Sequence, residues 1–346
     1  MTTEQAVETP KQQKSHRLRK SLVTFVFFVA ALELGLRLFG YGSYTVYRTD
    51  QRLLWVPEPG RTLTIVNHLP LTISEDGFRY KQTLGAKQPG QIRIFAFGDS
   101  TTMGWGVGDD STYSADLERM LNSSCTGSSF QVVSAGVNAY PNSIVVERAK
   151  KVIQDGFQPD VAIIAYSFNT NFESFADLQG AERQRFLRRV QVKALIRRSA
   201  IYNFLVEGVF RELVYYRLRH VLIAGSLDTT KAAEDLNIQR FKSRLSDTLK
   251  LCKSKKTQMV LLVLASEGQK MELHPFQTAM LEFANENDVP VVNMVDSWKA
   301  KDHGSLFMDH AHPTAEGHQL IAQELFRTLQ GVGSVCRQAS EGAHGR

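Results

Sequence analysis

Ser100 and His312 are the residues whose chemistry could be joined across this chain. Ser100 closes the run Gly98-Asp99-Ser100, directly after the apolar stretch Ile92 to Phe97. His312 lies far downstream in Met308-Asp309-His310-Ala311-His312-Pro313. A serine hydroxyl attacks an ester only under three conditions. A base must take its proton, a neighbour must hold that base in one tautomer, and fixed donors must meet the oxyanion that forms. Nothing near Ser100 in sequence supplies the base. His312 is the candidate base and Asp309 the candidate orienter, its carboxylate accepting from Nδ1–H while Nε2 faces outward. Pro313 keeps the loop from winding into helix, and His310 should point the other way. For the oxyanion, the candidate donors are the backbone N–H of Ser100, the backbone N–H of Gly136 and the side-chain amide of Asn169.

Such residues meet only if the fold brings distant turns to one place. Ile92, Ile94 and Phe95 favour a strand from Ile92 to Phe97, with Gly98 allowing a sharp turn after it. Further apolar runs predict strands at Phe130 to Val133, Val161 to Tyr166, Met259 to Ala265 and Val289 to Met294. Between them, helical spacing marks a helix capped by Ser111 and another through Ile144, Val145, Ala149 and Val152. Leu236 to Leu251, Pro275 to Asn285 and Thr314 to Leu329 complete the set. Alternation of this kind predicts an α/β fold, a parallel sheet with helices on both sides and right-handed crossovers. Catalysis in such sheets sits at the carboxyl ends of the strands, where Ser100, Gly136 and Asn169 all fall.

Two stretches resemble the GDSL, or SGNH, hydrolase superfamily: Gly98-Asp99-Ser100 matches its nucleophile motif, and Asp309-x-x-His312 its paired acid and base. Gly136 and Asn169 take the two intermediate motif positions. The resemblance covers roughly the last two thirds of the chain. It implies a three-layer α/β/α sandwich with a flavodoxin-like five-stranded sheet in the order 2-1-3-4-5, and hydrolysis of a carboxylic ester without a cofactor. The usual Gly-x-Asn-Asp reads Ser167-Phe168-Asn169-Thr170 here, which makes Asn171 a substitute donor. Membrane-anchored members often carry a Gly-Phe-Arg element before the nucleophile strand, here Gly77-Phe78-Arg79. By itself it reads as a surface turn with one buried Phe.

The flanks set the setting. Residues 1–20 are polar and end in the basic cluster Arg17, Arg19 and Lys20. Residues 21–40 are apolar for about the length a membrane helix needs. Glu33 and Arg37, at i and i+4, can pair on one face. The positive-inside rule keeps the basic end in the cytoplasm. The expectation is a single-pass signal anchor in the inner membrane, with the catalytic domain on the periplasmic side; a cleaved signal peptide or a buried core helix is the alternative. Residues 41–89 are an extended lead-in that packs on the main domain, with short β-like runs at Leu63 to Val66 and Leu71 to Ser74, and residues 90–332 are the hydrolase domain. Residues 171–231 form a basic helical insertion, read as a helical pair or lid, with a lipid-facing surface as the alternative. Residues 333–346 are a disordered tail.

Composition excludes several classes. The 346 residues are 43% apolar, enough for a sizeable core, and carry a formal net charge of +6. That charge sits largely in the N-terminal tail and between Arg183 and Arg198. With no recognisable motif, nucleic acid is not an expected partner. Gly98 to Gly106 lacks the Gly-Lys-Ser/Thr end of a P-loop. A metal site from His303, His310, His312 and Asp309 lacks ligands at helical spacing. Cys125, Cys252 and Cys336 form neither a metal pattern nor a disulfide framework. The expected function is a serine esterase, lipase or O-deacetylase acting on an acylated envelope glycan or lipid. An O-acyltransferase acting on a polysaccharide, and a non-catalytic carbohydrate-binding or assembly module, are the alternatives.

Overall fold

The computed structural model describes residues 10–41, 47–64, 69–125, 127–209, 230–267, 271–299, 304–332 and 335. It divides into two compact units. One comprises residues 1–44 and 195–222, the other residues 45–194 and 223–346.

In the first unit, helix α1 spans Pro10–Leu38. From His16 to Leu38 it is long and apolar enough to cross a membrane, and it fits a single-pass anchor. Phe25, Phe27 and Phe28 along it are exposed. The helix therefore begins well before Ser21, taking in the basic cluster. Glu33 and Arg37 pair as their spacing predicts, at 2.7 Å.

The second unit opens with two antiparallel hairpins: β1 (Tyr47–Asp50) with β2 (Leu54–Pro57), and β3 (Arg61–Thr64) with β4 (Pro70–Ile73). Five parallel strands follow: β5 (Gln91–Phe97), β6 (Ser129–Ser134), β7 (Val161–Ala165), β8 (Gln258–Val263) and β9 (Val291–Asn293), in the order β6-β5-β7-β8-β9. Numbered within the parallel sheet this is 2-1-3-4-5, the flavodoxin-like order. Every residue of β7 is buried, as a central strand covered on both faces must be.

The crossovers are helical. A short α2 (Ser100–Met103) follows β5, then α3 (Tyr113–Ser124), α4 (Asn142–Gln154), α5 (Gly180–Ile196) and α6 (Ala200–Asn203). After them come α7 (Lys231–Lys255), α8 (Pro275–Glu286), α9 (Met294–Trp298) and α10 (Ala315–Gly331). Packing of α3 with α10, and of α4 with α7 and α7 with α8, makes the two helical layers of the sandwich. Thr112, not Ser111, caps α3 by accepting from the Ala115 N–H. Ser111 instead ends a preceding turn of 3₁₀ helix.

The lead-in's β-like runs form the β3–β4 hairpin. All of β2 is buried, and the Trp55 indole donates to Asn138 O. Phe78 packs edge-on against Phe95 and Phe157, with the Arg148 guanidinium over its ring. Arg79 is the correction to the surface-turn reading: its side chain is 3% exposed and paired to Asp109 at 3.0 Å. The guanidinium also donates to the carbonyls of Met103, Gly104 and Val107. A buried charge is tolerated only with such compensation. The sequence could not show it, because the partners lie 24–30 residues away.

Candidate active site

Ser100 is the first residue of α2, at the carboxyl end of β5. Asp99 caps that helix, accepting from the Thr101 N–H. The first N–H groups of a helix have no intrahelical acceptor, so the Ser100 N–H is available at the edge of the sheet. Gly98 and Gly136 are glycines for a packing reason. A Cβ on Gly98 would lie 1.9 Å from Thr102 Oγ1, and one on Gly136 would lie 2.3 Å from Met103 N. Both allow α2 to sit down on the strand ends. At Gly98 the expected sharp turn is less the point than this close approach.

Helix α2 is held from several sides. Besides Arg79, the Ser134 hydroxyl donates to Thr102 O, and Tyr113 OH bonds Thr102 Oγ1. Ala135 N–H donates to Ala96 O and Val137 N–H to Gly98 O. Alternation along an extended backbone turns the intervening Gly136 N–H away from β5.

The loop before α10 presents the other half. Ser100 Oγ lies 2.8 Å from His312 Nε2. His312 Nδ1 lies 2.8 and 3.0 Å from the two Asp309 carboxylate oxygens. Asp309 Oδ1 also accepts from the Ala311 and His312 N–H groups. Burial alone would raise the Asp309 carboxyl, but the hydrogen bond and charge of His312 and these two amides hold it well below the ordinary carboxylate range. The contacts assign the proton to Nδ1 and leave Nε2 to accept from the serine. The loop is fastened by Met308 N–H to His312 O and Thr314 N–H to Leu306 O. Thr314 caps α10. The His310 side chain is exposed while its carbonyl accepts from Ser266 Oγ. It takes no part in the Ser100–His312–Asp309 chain of contacts.

Asn169 stands at the other rim, just past β7. Its Nδ2 donates to Asp99 Oδ2 at 3.1 Å, with Tyr140 O and Ser167 Oγ also in reach. Asp99 is the residue whose role sequence reasoning missed. It is 1% exposed and also accepts from Ser167 Oγ and the Phe168 N–H. Burial pushes its carboxyl upward, opposed by those donors and by His312. It thereby ties the β5 turn to the β7 turn, with Ser167 replacing the expected glycine as a donor. The signal was present in the motif itself, an acid before the serine, but only the partners reveal its use. The Asn171 side chain, His303 and Cys336 lie outside the described residues.

The GDSL-like lipase/acylhydrolase family profile matches residues 96–320, well over half of the chain. The chain belongs to that family. This GDSL hydrolase is a carboxylic ester hydrolase by that membership. No curated protein matches it in sequence. Among solved structures it is similar to the acetylxylan esterase Axe2 from Geobacillus stearothermophilus, at 15% identity and TM-score 0.43, over 69% of this chain and 94% of that one. It is also similar to the psychrotrophic esterase EstA from Pseudoalteromonas sp., at 10% identity and TM-score 0.41, over 69% and 97%. A third is a two-domain esterase active on acetylated mannans, at 15% identity and TM-score 0.45, over 72% of this chain and 52% of that one.

Behind the GDSL hydrolase's site, His318 of α10 is fully buried against Tyr113 and accepts from the Tyr113 N–H through Nδ1. Burial, with the charges of Arg79 and His312, pushes its pKa down to about 3. The folded protein therefore keeps it neutral, whereas the unfolded chain binds a proton below about pH 6.5. Stability is full above that pH and falls as pH drops toward about 3. We expect the thermal midpoint of His318→Gln, measured by calorimetry, to fall less steeply on acidification than that of the wild type.

Proposed function

We propose that this hydrolase is a membrane-anchored serine esterase or O-deacetylase whose nucleophile is Ser100, with His312 as base and Asp309 as its orienter. The observation that carries the reading is the unbroken contact chain from Ser100 Oγ through His312 to Asp309. In the first step His312 Nε2 takes the serine proton as Oγ bonds to the ester carbonyl carbon. The carbonyl electron pair moves to oxygen, where the Ser100 N–H, the Gly136 N–H and Asn169 Nδ2 are the donors we assign. Collapse expels the alcohol oxygen, which takes the proton from Nε2. Water, activated by the same nitrogen, then releases the acid and restores Ser100.

The substrate we assign is an O-acylated envelope glycan or lipid on the periplasmic face of the inner membrane. Two features support that side. The basic residues Arg17, Arg19 and Lys20 precede the apolar part of α1. Cys125 is disulfide-bonded, contrary to the sequence expectation of no disulfide framework, while Cys252 is free and buried. Disulfides persist in oxidising compartments. Of the 3 cysteines, one thiol should alkylate in denatured, unreduced protein and all three after reduction, read by intact mass. Three reactive thiols in protein isolated without reductant would count against the periplasmic assignment.

The activity is tested by labelling with an ester-mimicking phosphonate, locating the adduct by peptide mass, and measuring acetate release from an acetylated polysaccharide. The adduct should fall on Ser100 and be absent from Ser100→Ala. An adduct on another serine would sink the assignment. Acetate that appears on an added glycan instead of in solution would shift the reaction to acyl transfer.

A further inference from the structure

Glu33 lies in the apolar helix α1, five residues before its end at Leu38. At about 1.5 Å per residue it sits roughly 7–8 Å inside that end. An unpaired carboxylate at such depth in a membrane helix is costly. Here it is fully engaged. It accepts from Ser199 Oγ at 2.9 Å, the Ala200 N–H at 2.8 Å, the Ile201 N–H at 3.0 Å and Arg37 Nε at 3.0 Å. Arg37 in turn donates to the Arg198 carbonyl at 2.6 Å. The N-terminus of α6 is therefore bound directly to the anchor helix, at the depth of Glu33.

The segment around that junction suits an interface. Helix α6 continues as a π-helical turn over Phe204–Val209. Leu195, Ile196, Leu205 and Val209 are exposed, at 68%, 43%, 40% and 54%. Leu205 and Val209, four apart, share a helix face. Phe204 packs edge-on against Tyr41, just past the end of α1, at a ring distance of 5.0 Å. Aromatic residues gather at this level of a bilayer. Arg197 and Arg198 flank the apolar positions with charge that complements lipid phosphate.

We propose that Leu195–Val209 is an interfacial arm. It lies in the headgroup boundary of the bilayer that α1 crosses, with Leu205 and Val209 turned to the acyl chains and Glu33 holding it there. This rests on α1 being a membrane span. The occupant of the exposed apolar face is then the phospholipid surface itself. A carboxylate fixed to both α1 and the arm leaves the arm no other depth. The sequence expectation of a helical pair or lid gives way, for this part of the insertion, to its lipid-facing alternative.

The test uses the full-length protein in bilayers of phosphatidylcholine and phosphatidylglycerol. Nitroxide labels are placed one at a time through Phe27→Cys, Leu205→Cys, Val209→Cys and Lys250→Cys, in a Cys252→Ala background. Relaxation by oxygen reports lipid, and relaxation by a water-soluble nickel chelate reports water. Phe27→Cys should read deep in lipid and Lys250→Cys in water. Leu205→Cys and Val209→Cys should lie about 5–10 Å into the headgroup and acyl boundary. Labels at 205 and 209 in water, with the one at 27 in lipid, would overturn the arm but keep the anchor. Shielding of 205 and 209 from both reagents would mean packing on protein, and would equally overturn it. A label at 27 in water would remove the anchor and the arm together. Glu33→Ala should raise the nickel relaxation at 205 several-fold, and no change would refute Glu33 as the tie.

Discussion

Ser100→Ala and His312→Ala are each expected to lower turnover by about 10⁴–10⁶-fold, with the double variant no worse than either single one. The reason is the 2.8 Å contact between Ser100 Oγ and His312 Nε2. In the proposed triad, removing the hydroxyl leaves no nucleophile, and removing the imidazole leaves the hydroxyl its proton. Residues that act as one unit do not lose their effects additively. Asp309→Ala should be severe but milder, since in the proposed triad Asp309 orients the ring and does not take the serine proton. Its Oδ1 also accepts from the Ala311 and His312 amides, so part of its loss is the shape of the loop. Asp309→Asn separates the two effects. It keeps an oxygen for those amides but lets the wrong imidazole tautomer form, so most of the rate should still be lost. His310→Ala should retain most activity, because that side chain is exposed and only its carbonyl is engaged. Initial rates on a chromogenic acetate ester decide the matter. An inactive His310→Ala beside an active His312→Ala would overturn the assignment.

Asn169→Ala should lower kcat by about 10²–10³-fold and leave KM nearly unchanged, because an oxyanion donor matters most when charge has developed. Asp99→Asn tests how Asn169 is held. Asp99 Oδ2 is the shared acceptor for the Asn169 amide, the Phe168 N–H and Ser167 Oγ. An amide placed there turns acceptor into donor for part of that set, and a buried unmet donor costs about 1–3 kcal/mol. We expect Asp99→Asn to lose kcat on the scale of Asn169→Ala and also to lower the thermal midpoint, whereas Asn169→Ala should do mainly the first. Full activity in Asn169→Ala together with a large loss in Asn171→Ala would mean that the donor had been placed on the wrong asparagine.

Strand-and-helix alternation, the two chemical motifs and the apolar N-terminal helix were legible in the sequence because each is a local pattern. Period and composition over ten to twenty residues decide whether a segment is a strand, a helix or a span. The order of strands was legible only through family resemblance, since periodicity does not say which strand lies beside which. Tertiary structure alone decided the rest, for one physical reason: a buried polar group is defined by its partners, and these come from elsewhere in the chain. Arg79 reads as one residue in a turn until the carbonyls of Met103, Gly104 and Val107 close around it. Asp99 reads as a motif letter until Ser167, Phe168 and Asn169 arrive from the end of another strand. Glu33 and Arg37 could be paired from their spacing, but not with Ser199 to Ile201, more than 160 residues away. Gly98 and Gly136 look like turn residues, and the contact that forbids a side chain at each is made by α2 as it packs onto the strand ends.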